Sequence, residues 1–415
     1  MAGPGLVTGG PGHGAPHGRG HEDREIVVVG AGLLGLAAAH ALASRGHDVV
    51  LLEQAAIGHA GSGSHGSARI FRYGYADPVY VAMARRAREL WGDLEDESGQ
   101  RLLLPAGQLT FGAGLAGLGQ AMREAGAPCE LLPAAEAAAR FPSVTAGGPC
   151  VYEPESCVIA AGRALAALAA MLPDVRCGLP VTAVRPDGRR VTVRAGGLAF
   201  SAQAAVICAG PWTSGLAAGA GLTVPATATL EQVAYVAPAA GPDAALPPIF
   251  IRHGGLSPYG LPVPDQAVPD QAVPGQAVPG QAVLDQALYK VGLHPGGPRR
   301  GVGMAGPVID PGGPGEPEWA AAGEDPGLRD RISDVVRRYL PGFGPQPVAT
   351  ERCVYDHSPD QDFIMDRAGP VVIGGGTSGH AFKFGPLLGG WLADLATGRE
   401  PSGLPDRFSL NRFRS

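Results

Sequence analysis

The tightest constraint in this chain is a glycine spacing held between two short apolar runs. Ile26, Val27, Val28 and Val29 form a wholly apolar stretch, as expected of a strand buried on both faces. It leads straight into Gly30-Ala31-Gly32-Leu33-Leu34-Gly35 and then into an alanine-rich stretch with helical character that ends near Arg45-Gly46. A second apolar run, Val49 to Leu52, ends in Glu53-Gln54. This is a complete βαβ unit. In G-x-G-x-x-G the first glycine permits the tight turn, the second lets a pyrophosphate approach the backbone, and the third lets helix and strand pack closely. The helix N-terminus then offers unpaired N–H groups and a positive partial charge to the phosphates. Glu53 stands 18 residues beyond Gly35, where a carboxylate accepts from ribose hydroxyls and repels a 2′-phosphate. The unit predicts an adenine dinucleotide other than NADP and leaves NAD and FAD both open.

Further elements follow from local chemistry. Asp77-Pro78 is a helix start, and helical spacing continues to Glu97; a second helix is expected over Ala160 to Leu172. Val181–Val184 and Val191–Val193 flank Pro186-Asp187-Gly188 and read as a hairpin. A buried strand, Ala204 to Cys208, ends in Ala209-Gly210-Pro211-Trp212. Near the end, Val371-Val372-Ile373 feeds a glycine-rich turn, Gly374 to Gly379, followed by a helix around Leu387 to Ala396. Residues 1–23, rich in Gly, Pro and His, read as a disordered tail. From Val263 to Ala287 a pentapeptide repeats five times, as VPDQA, VPDQA, VPGQA, VPGQA and VLDQA. A period of five matches neither helix nor strand, so an extended, polyproline-like insertion loop is expected.

Composition narrows the function. The net charge is −6 with no basic cluster, which argues against nucleic acid. No run reaches the roughly 18 apolar residues of a membrane span, and no basic-then-apolar leader is present, so a soluble cytoplasmic protein is expected. Six scattered cysteines lack metal or disulfide spacing and suit a reducing compartment. Among 32 basic residues only two are lysines, Lys290 and Lys383. Arginine replaces lysine readily on a solvated face but poorly where a compact, titratable amine is needed. Both lysines are therefore candidates for chemistry.

Three segments carry a resemblance. Gly63-Ser64-His65-Gly66-Ser67-Ala68-Arg69-Ile70-Phe71-Arg72-Tyr73-Gly74-Tyr75 resembles the flavin-contacting loop of the monomeric sarcosine oxidase family, within the D-amino-acid-oxidase-like flavoproteins. Cys353-Val354-Tyr355 with Pro359 to Asp366 resembles the segment bearing that family's flavin-linked cysteine. Gly376-Thr377-Ser378-Gly379-His380-Ala381-Phe382-Lys383-Phe384 resembles its C-terminal flavin and substrate loop.

The resemblance implies an α/β fold: a Rossmann-like FAD-binding domain (24–105, 155–222, 350–398) carrying an inserted α+β substrate domain on a mixed sheet (106–154, 223–349). It implies FAD bound covalently through Cys353, with the thiolate favoured by cationic neighbours. It implies that Arg72 and Lys383 hold a substrate carboxylate, that Arg69 lies over the flavin, and that Lys290 assists dioxygen. His294 and Tyr259 would line the substrate side. Cofactor contacts are expected from Gly30, Gly32, Leu33, Leu34, Gly35, Glu53, Gln54, Ser64, His65, Gly66, Ser67, Ala68, Ala209, Gly210, Trp212, Gly376, Thr377, Ser378, Gly379 and His380. Ser67 stands where the family has an acid. Cys129, Cys150, Cys157, Cys177 and Cys208 are expected to be small buried hydrophobes.

The implied reaction is oxidation of a C–N bond in a secondary or cyclic amino acid by a monomer, with dioxygen as acceptor and no metal. An oxidase of a cyclic imino acid in secondary metabolism is the nearest rival. A flavin dehydrogenase would have no use for Lys290, and a repeat-bearing binding module none for Cys353.

Overall fold

The computed structural model describes residues 20–239, 247–252, 256–263, 288–295, 308–313 and 324–414. The pentapeptide repeat, apart from Val263, lies outside them, as does the tail up to residue 19. The first strand, His21–Val29, starts inside the stretch read as tail. An ionic ladder explains the early start. Arg24 and Arg176 interleave with Glu22 and Asp174 at 2.7–3.0 Å along its polar half, a pattern without apolar periodicity.

Three parallel strands form the centre of one eight-stranded sheet: Leu198–Ile207, His21–Val29 and Val49–Leu52. Val175–Arg176 extends one edge in parallel. The long strand Leu198–Ile207 is shared. Its first half pairs antiparallel with the hairpin Val181–Asp187/Arg190–Ala195, and its second half pairs parallel with Val371–Gly375. One face buries Ile26 and Val28 under the helices Leu33–Ala43 and Gly385–Ala396; the other buries Val27 and Val29 with the hairpin. Each fully buried Leu or Val contributes about 1.5–3 kcal/mol, so burial on both faces fixes this layer.

The second eight-stranded sheet is mixed, in the order Ala349–His357, Thr227–Val236, Tyr289–Pro295, Leu256–Pro262, Ile249–Arg252, Gln108–Gly112, Cys150–Glu153, Glu130–Leu132. Its one parallel pair joins Ile249–Arg252 to Gln108–Gly112. The strand carrying Cys353, grouped from sequence with the dinucleotide-binding part, pairs here along its whole length with Thr227–Val236. A three-stranded sheet, Ala68–Phe71, Cys157–Ala160 and Leu103–Pro105, carries the strand bearing Arg69.

Two of the remaining helices were expected from the sequence and match it closely, whereas Leu115–Glu124, Ala134–Arg140, Thr213–Gly219 and Pro326–Tyr339 were not anticipated. Pro78–Ser98 is capped by Asp77, whose carboxylate accepts from the Val79 N–H at 2.9 Å. Ala161–Ala170 lies within its expected range.

Candidate active site

A cavity of about 740 Å³ is lined by residues of both large sheets. At one end stands the glycine turn. Gly30 has φ +96, and a Cβ there would meet the Cys208 carbonyl oxygen at 2.5 Å. A Cβ on Gly35 would stand 1.8 Å from the Gly30 oxygen, so helix and strand touch at backbone distance. Gly32, Leu33 and Leu34 open onto the cavity, and the Leu33 N–H donates to Ser64 Oγ at 2.9 Å. The buried Glu53 carboxylate accepts from the N–H groups of Ala31 (2.7 Å) and Ala55 (3.0 Å), and Gln54 follows it along the wall. Ala209, Gly210 and Trp212 form the facing edge, with Trp212 Nε1 donating to the Pro311 carbonyl at 3.0 Å.

The other end gathers the charged candidates. Ala68, Arg69, Arg72, Tyr259, Lys290, His294 and Cys353 line it, with Thr377, Gly379, His380 and Lys383. The repeat does not separate Tyr259 from Lys290 in space. Leu256–Pro262 and Tyr289–Pro295 pair antiparallel with Leu261 opposite Lys290, and Val263 N–H donates to Leu288 O at 3.0 Å, closing the ladder where the insertion leaves it.

Arg72 is 9% exposed, its guanidinium held between the rings of Tyr75 (4.4 Å) and Phe250 (4.3 Å). It also donates to the Gly74 carbonyl. Lys383, 5% exposed, donates through Nζ to Tyr75 Oη at 3.0 Å and the His380 carbonyl at 2.7 Å. Behind them Glu153, fully buried, accepts from the N–H groups of Tyr73 and Gly74 and from Ser156 Oγ. Burial, aided by Arg72, holds the Lys383 ammonium well below the usual lysine range, with Glu153 opposing. Burial and the nearby cations Arg72 and Lys383 push His294 down to about 3, so its imidazole is neutral at ordinary pH.

Six expected cofactor residues stand behind the wall. Gly35 faces Gly30 rather than the cavity. His65 turns its Nδ1 to the Gly58 carbonyl at 2.7 Å, and Gly66 lies beside Glu351. The Ser67 carbonyl accepts from the Ala161 N–H at 2.9 Å. Gly376 packs against Ile364, and the Ser378 N–H donates to the Asp356 carbonyl at 2.9 Å. These positions shape the loops without reaching the interior.

Two expectations about cysteine need correction. Burial pushes the Cys353 thiol up to about 12; Lys290 and Arg69 pull it down, but Glu351 and Glu231 push it up, so the surroundings do not favour a thiolate. Cys177 is exposed and Cys129 half-buried, unlike Cys150, Cys157 and Cys208. Sequence reasoning also missed the acids Glu153 and Glu351, each a strand carboxylate with no motif to flag it, and the pocket residues Phe250 and Asp356.

The family described as FAD dependent oxidoreductase (DAO) matches residues 25–395. The chain belongs to this family. Peroxisomal sarcosine oxidase of Homo sapiens is 30% identical over 410 residues, 94% of this chain and 96% of that protein. N-methyl-L-tryptophan oxidase of Yersinia pestis (strain Pestoides F) is 27% identical over 412 residues, 94% and 100% of the two chains. Among solved structures, the open form of NikD, described as an unusual amino acid oxidase essential for nikkomycin biosynthesis, matches with TM-score 0.75 and 25% identity, covering 94% of this chain and 97% of that one. The glycine turn of this FAD-dependent oxidoreductase fits the group that its family carries. The close backbone approach at Gly30 and Gly35 and the Glu53 carboxylate at the strand end are what a dinucleotide's pyrophosphate and ribose require. Among the described residues, no helix is long and apolar enough to cross a membrane.

Proposed function

We propose that this chain oxidises the C–N bond of a secondary (N-methyl) or cyclic amino acid to an imine while dioxygen is reduced to hydrogen peroxide. The substrate loses one C–H and one N–H hydrogen, and the two electrons and two protons end in peroxide. When bound, FAD supplies the two-electron redox chemistry. One observation carries the reading: two buried basic side chains, Arg72 and Lys383, share a cavity with Lys290 and Cys353. Arg72 and Lys383 would bind the carboxylate, Arg72 through a planar fork. Lys290 would serve dioxygen, and His294, being neutral, would contact substrate as an uncharged polar group. The names of the sarcosine and N-methyl-L-tryptophan relatives support an N-methyl amino acid.

The cyclic imino acid reading draws support from the aromatic rings of Phe250, Tyr259 and Tyr355 along the same cavity, which suit a flat substrate, and from the similarity to NikD. The free state of all six cysteines supports a reducing, cytoplasmic setting.

The experiment is a panel of N-methyl and cyclic amino acids added to the yellow protein under nitrogen. At least one should bleach it and, on admission of air, yield peroxide equal to the substrate consumed. Bleaching by primary amino acids alone would sink the reading.

Covalent attachment is a separate proposal. Flavin colour should stay with acid-precipitated protein and be released to the supernatant in Cys353→Ala. The link would exchange the thiol S–H and one C–H of the flavin methyl for a C–S bond, with the two electrons and two protons passing to dioxygen. Because the neighbourhood holds the thiol protonated, the link should form slowly in air after FAD binds, so freshly loaded protein should lose flavin to acid and aged protein should not. Freely extractable flavin in aged wild type refutes the link.

A further inference from the structure

Lys290 sits in a charge cluster that neither sequence motifs nor the family comparison single out. It is 4% exposed on the strand Tyr289–Pro295, with Tyr235 opposite it on Thr227–Val236. One strand further lies Glu351, whose Oε2 is 3.8 Å from Lys290 Nζ. The Tyr235 hydroxyl donates to that same carboxylate. His65 Nε2 lies 3.2 Å from the other oxygen, Oε1, without closing a hydrogen bond, so Oε1 is buried with only electrostatic company.

The flavin-loop backbone passes through the middle of this cluster. A Cβ on Gly66, where φ is +101, would stand 2.8 Å from Glu351 Oε1, 3.2 Å from Arg69 Nη1 and 3.3 Å from Lys290 Nζ. Three charged side chains therefore converge on one glycine. We propose that Glu351 is the counter-ion that holds Lys290 in place as a cation at the cavity wall, a positioning residue that acts through Lys290. The inference rests on the reading of Lys290 as the residue that serves dioxygen.

The balance of charges gives the sign. Burial works against the Lys290 ammonium and so does Arg69 across the loop; Glu351 supports it, and Cys353 does so only when ionised. The other groups facing the cluster are Tyr235, His65 and, on the strand Leu256–Pro262, Tyr259. Both tyrosine phenols are pushed up by burial and stay neutral. Glu351 itself is held below the usual carboxylate range: burial raises it, but Lys290, His65, the Tyr235 hydroxyl and Arg69 outweigh burial. Glu351 is thus the ionised acid beside Lys290 across the working range. An opposite charge at such a distance shifts a partner by about 1–3 pH units, so its removal should cost Lys290 its proton that much earlier as pH rises.

A chain with only two lysines makes the test direct. Holoenzyme grown on lysine labelled with carbon-13 at Cε gives two lysine signals, and Lys290→Met identifies one by its loss. The wild-type Lys290 signal should have the ammonium position at pH 7. Glu351→Gln should move its titration midpoint down by about 1–3 units, and Glu351→Asp should restore most of the shift. In parallel, the falling limb of the reoxidation rate against pH should move down by the same amount in Glu351→Gln, while bleaching by substrate under nitrogen is unchanged.

A wild-type Lys290 that is already a neutral amine at pH 7 overturns the proposal without any variant of Glu351. So does a Glu351→Gln midpoint equal to wild type, which would reduce Glu351 to an anchor for the loop at Gly66. Normal reoxidation in Lys290→Met, together with a shifted midpoint in Glu351→Gln, leaves the ion pair standing and removes the oxygen role from Lys290 instead.

Discussion

Lys290→Met should leave bleaching by substrate under nitrogen nearly unchanged and slow the return of colour in air by about 10²–10³-fold, the effect of losing one preorganised electrostatic group from a water-poor site. On the proposed reading the ammonium, already paired with Glu351, gains a further negative partner as dioxygen accepts electrons and none on the substrate while the C–N bond is oxidised, so its contribution is expected in one half of the cycle. Methionine keeps an unbranched stem of similar length and removes the charge. Stopped-flow absorbance on one preparation follows both halves. Equal slowing of the two would make Lys290 a support of the pocket, and unchanged reoxidation would exclude it from oxygen chemistry. Lys290→Arg should recover only part of the rate. The Gly66 backbone passes beside Nζ, and the Tyr235 ring centroid lies 5.7 Å from it, which leaves little width for a planar fork.

How much of this was legible in the sequence depends on the range of the interaction involved. The βαβ unit, the hairpin and the Asp77 cap are set by neighbours in the chain, and each stands close to its expected place apart from the early start of His21–Val29, whose polar half follows no local apolar pattern. The lysine count pointed at two positions, and both are buried on the cavity wall. Tyr235, Lys290 and Glu351, by contrast, meet only through the register of three antiparallel strands, across an insertion that lengthens the chain between them. Nothing local marks Glu351, two residues before Cys353, as a charge partner rather than one more surface acid on a strand. Glu153 is invisible for the same reason: its three partners are the N–H groups of Tyr73 and Gly74, some 80 residues earlier, and a serine three residues later. The Cys353 expectation failed differently. It assumed cationic neighbours without naming them; Lys290 and Arg69 do pull the thiol down, but burial outweighs them, and burial is not readable from residue type.

Arg72 and Lys383 should each weaken carboxylate binding about 10- to 150-fold when replaced by methionine, the range set by losing about 1.5–3 kcal/mol of a charge-assisted contact. Glu153 stands behind the pair; Arg252 adds a further positive charge near Arg72; aromatic rings, the Tyr75 hydroxyl, the neutral His294 and carbonyls complete the surroundings, and Arg72 itself disfavours the Lys383 ammonium. A substrate carboxylate arriving between them would relieve that repulsion and raise Lys383 again. Binding should therefore take up a proton. The sign follows: affinity is greatest at low pH, where Lys383 is charged before binding, and falls as pH rises through the Lys383 midpoint of the free protein towards that of the complex. Lys383→Met should bind more weakly and lose this slope, whereas Arg72→Met should bind more weakly yet keep it, with the midpoint moved up because a neighbouring positive charge is gone. Arg72→Lys should not rescue binding, since an ammonium does not fill the slot between Tyr75 and Phe250 as a guanidinium plane does. Titration of a non-reacting carboxylate against flavin absorbance at several pH values measures all of this without turnover. An amide analogue bound equally by wild type and both variants, beside a carboxylate bound far more tightly by wild type alone, assigns the charge on the ligand to this pair. Equal losses for amide and carboxylate would mean instead that Arg72 and Lys383 hold the pocket's shape.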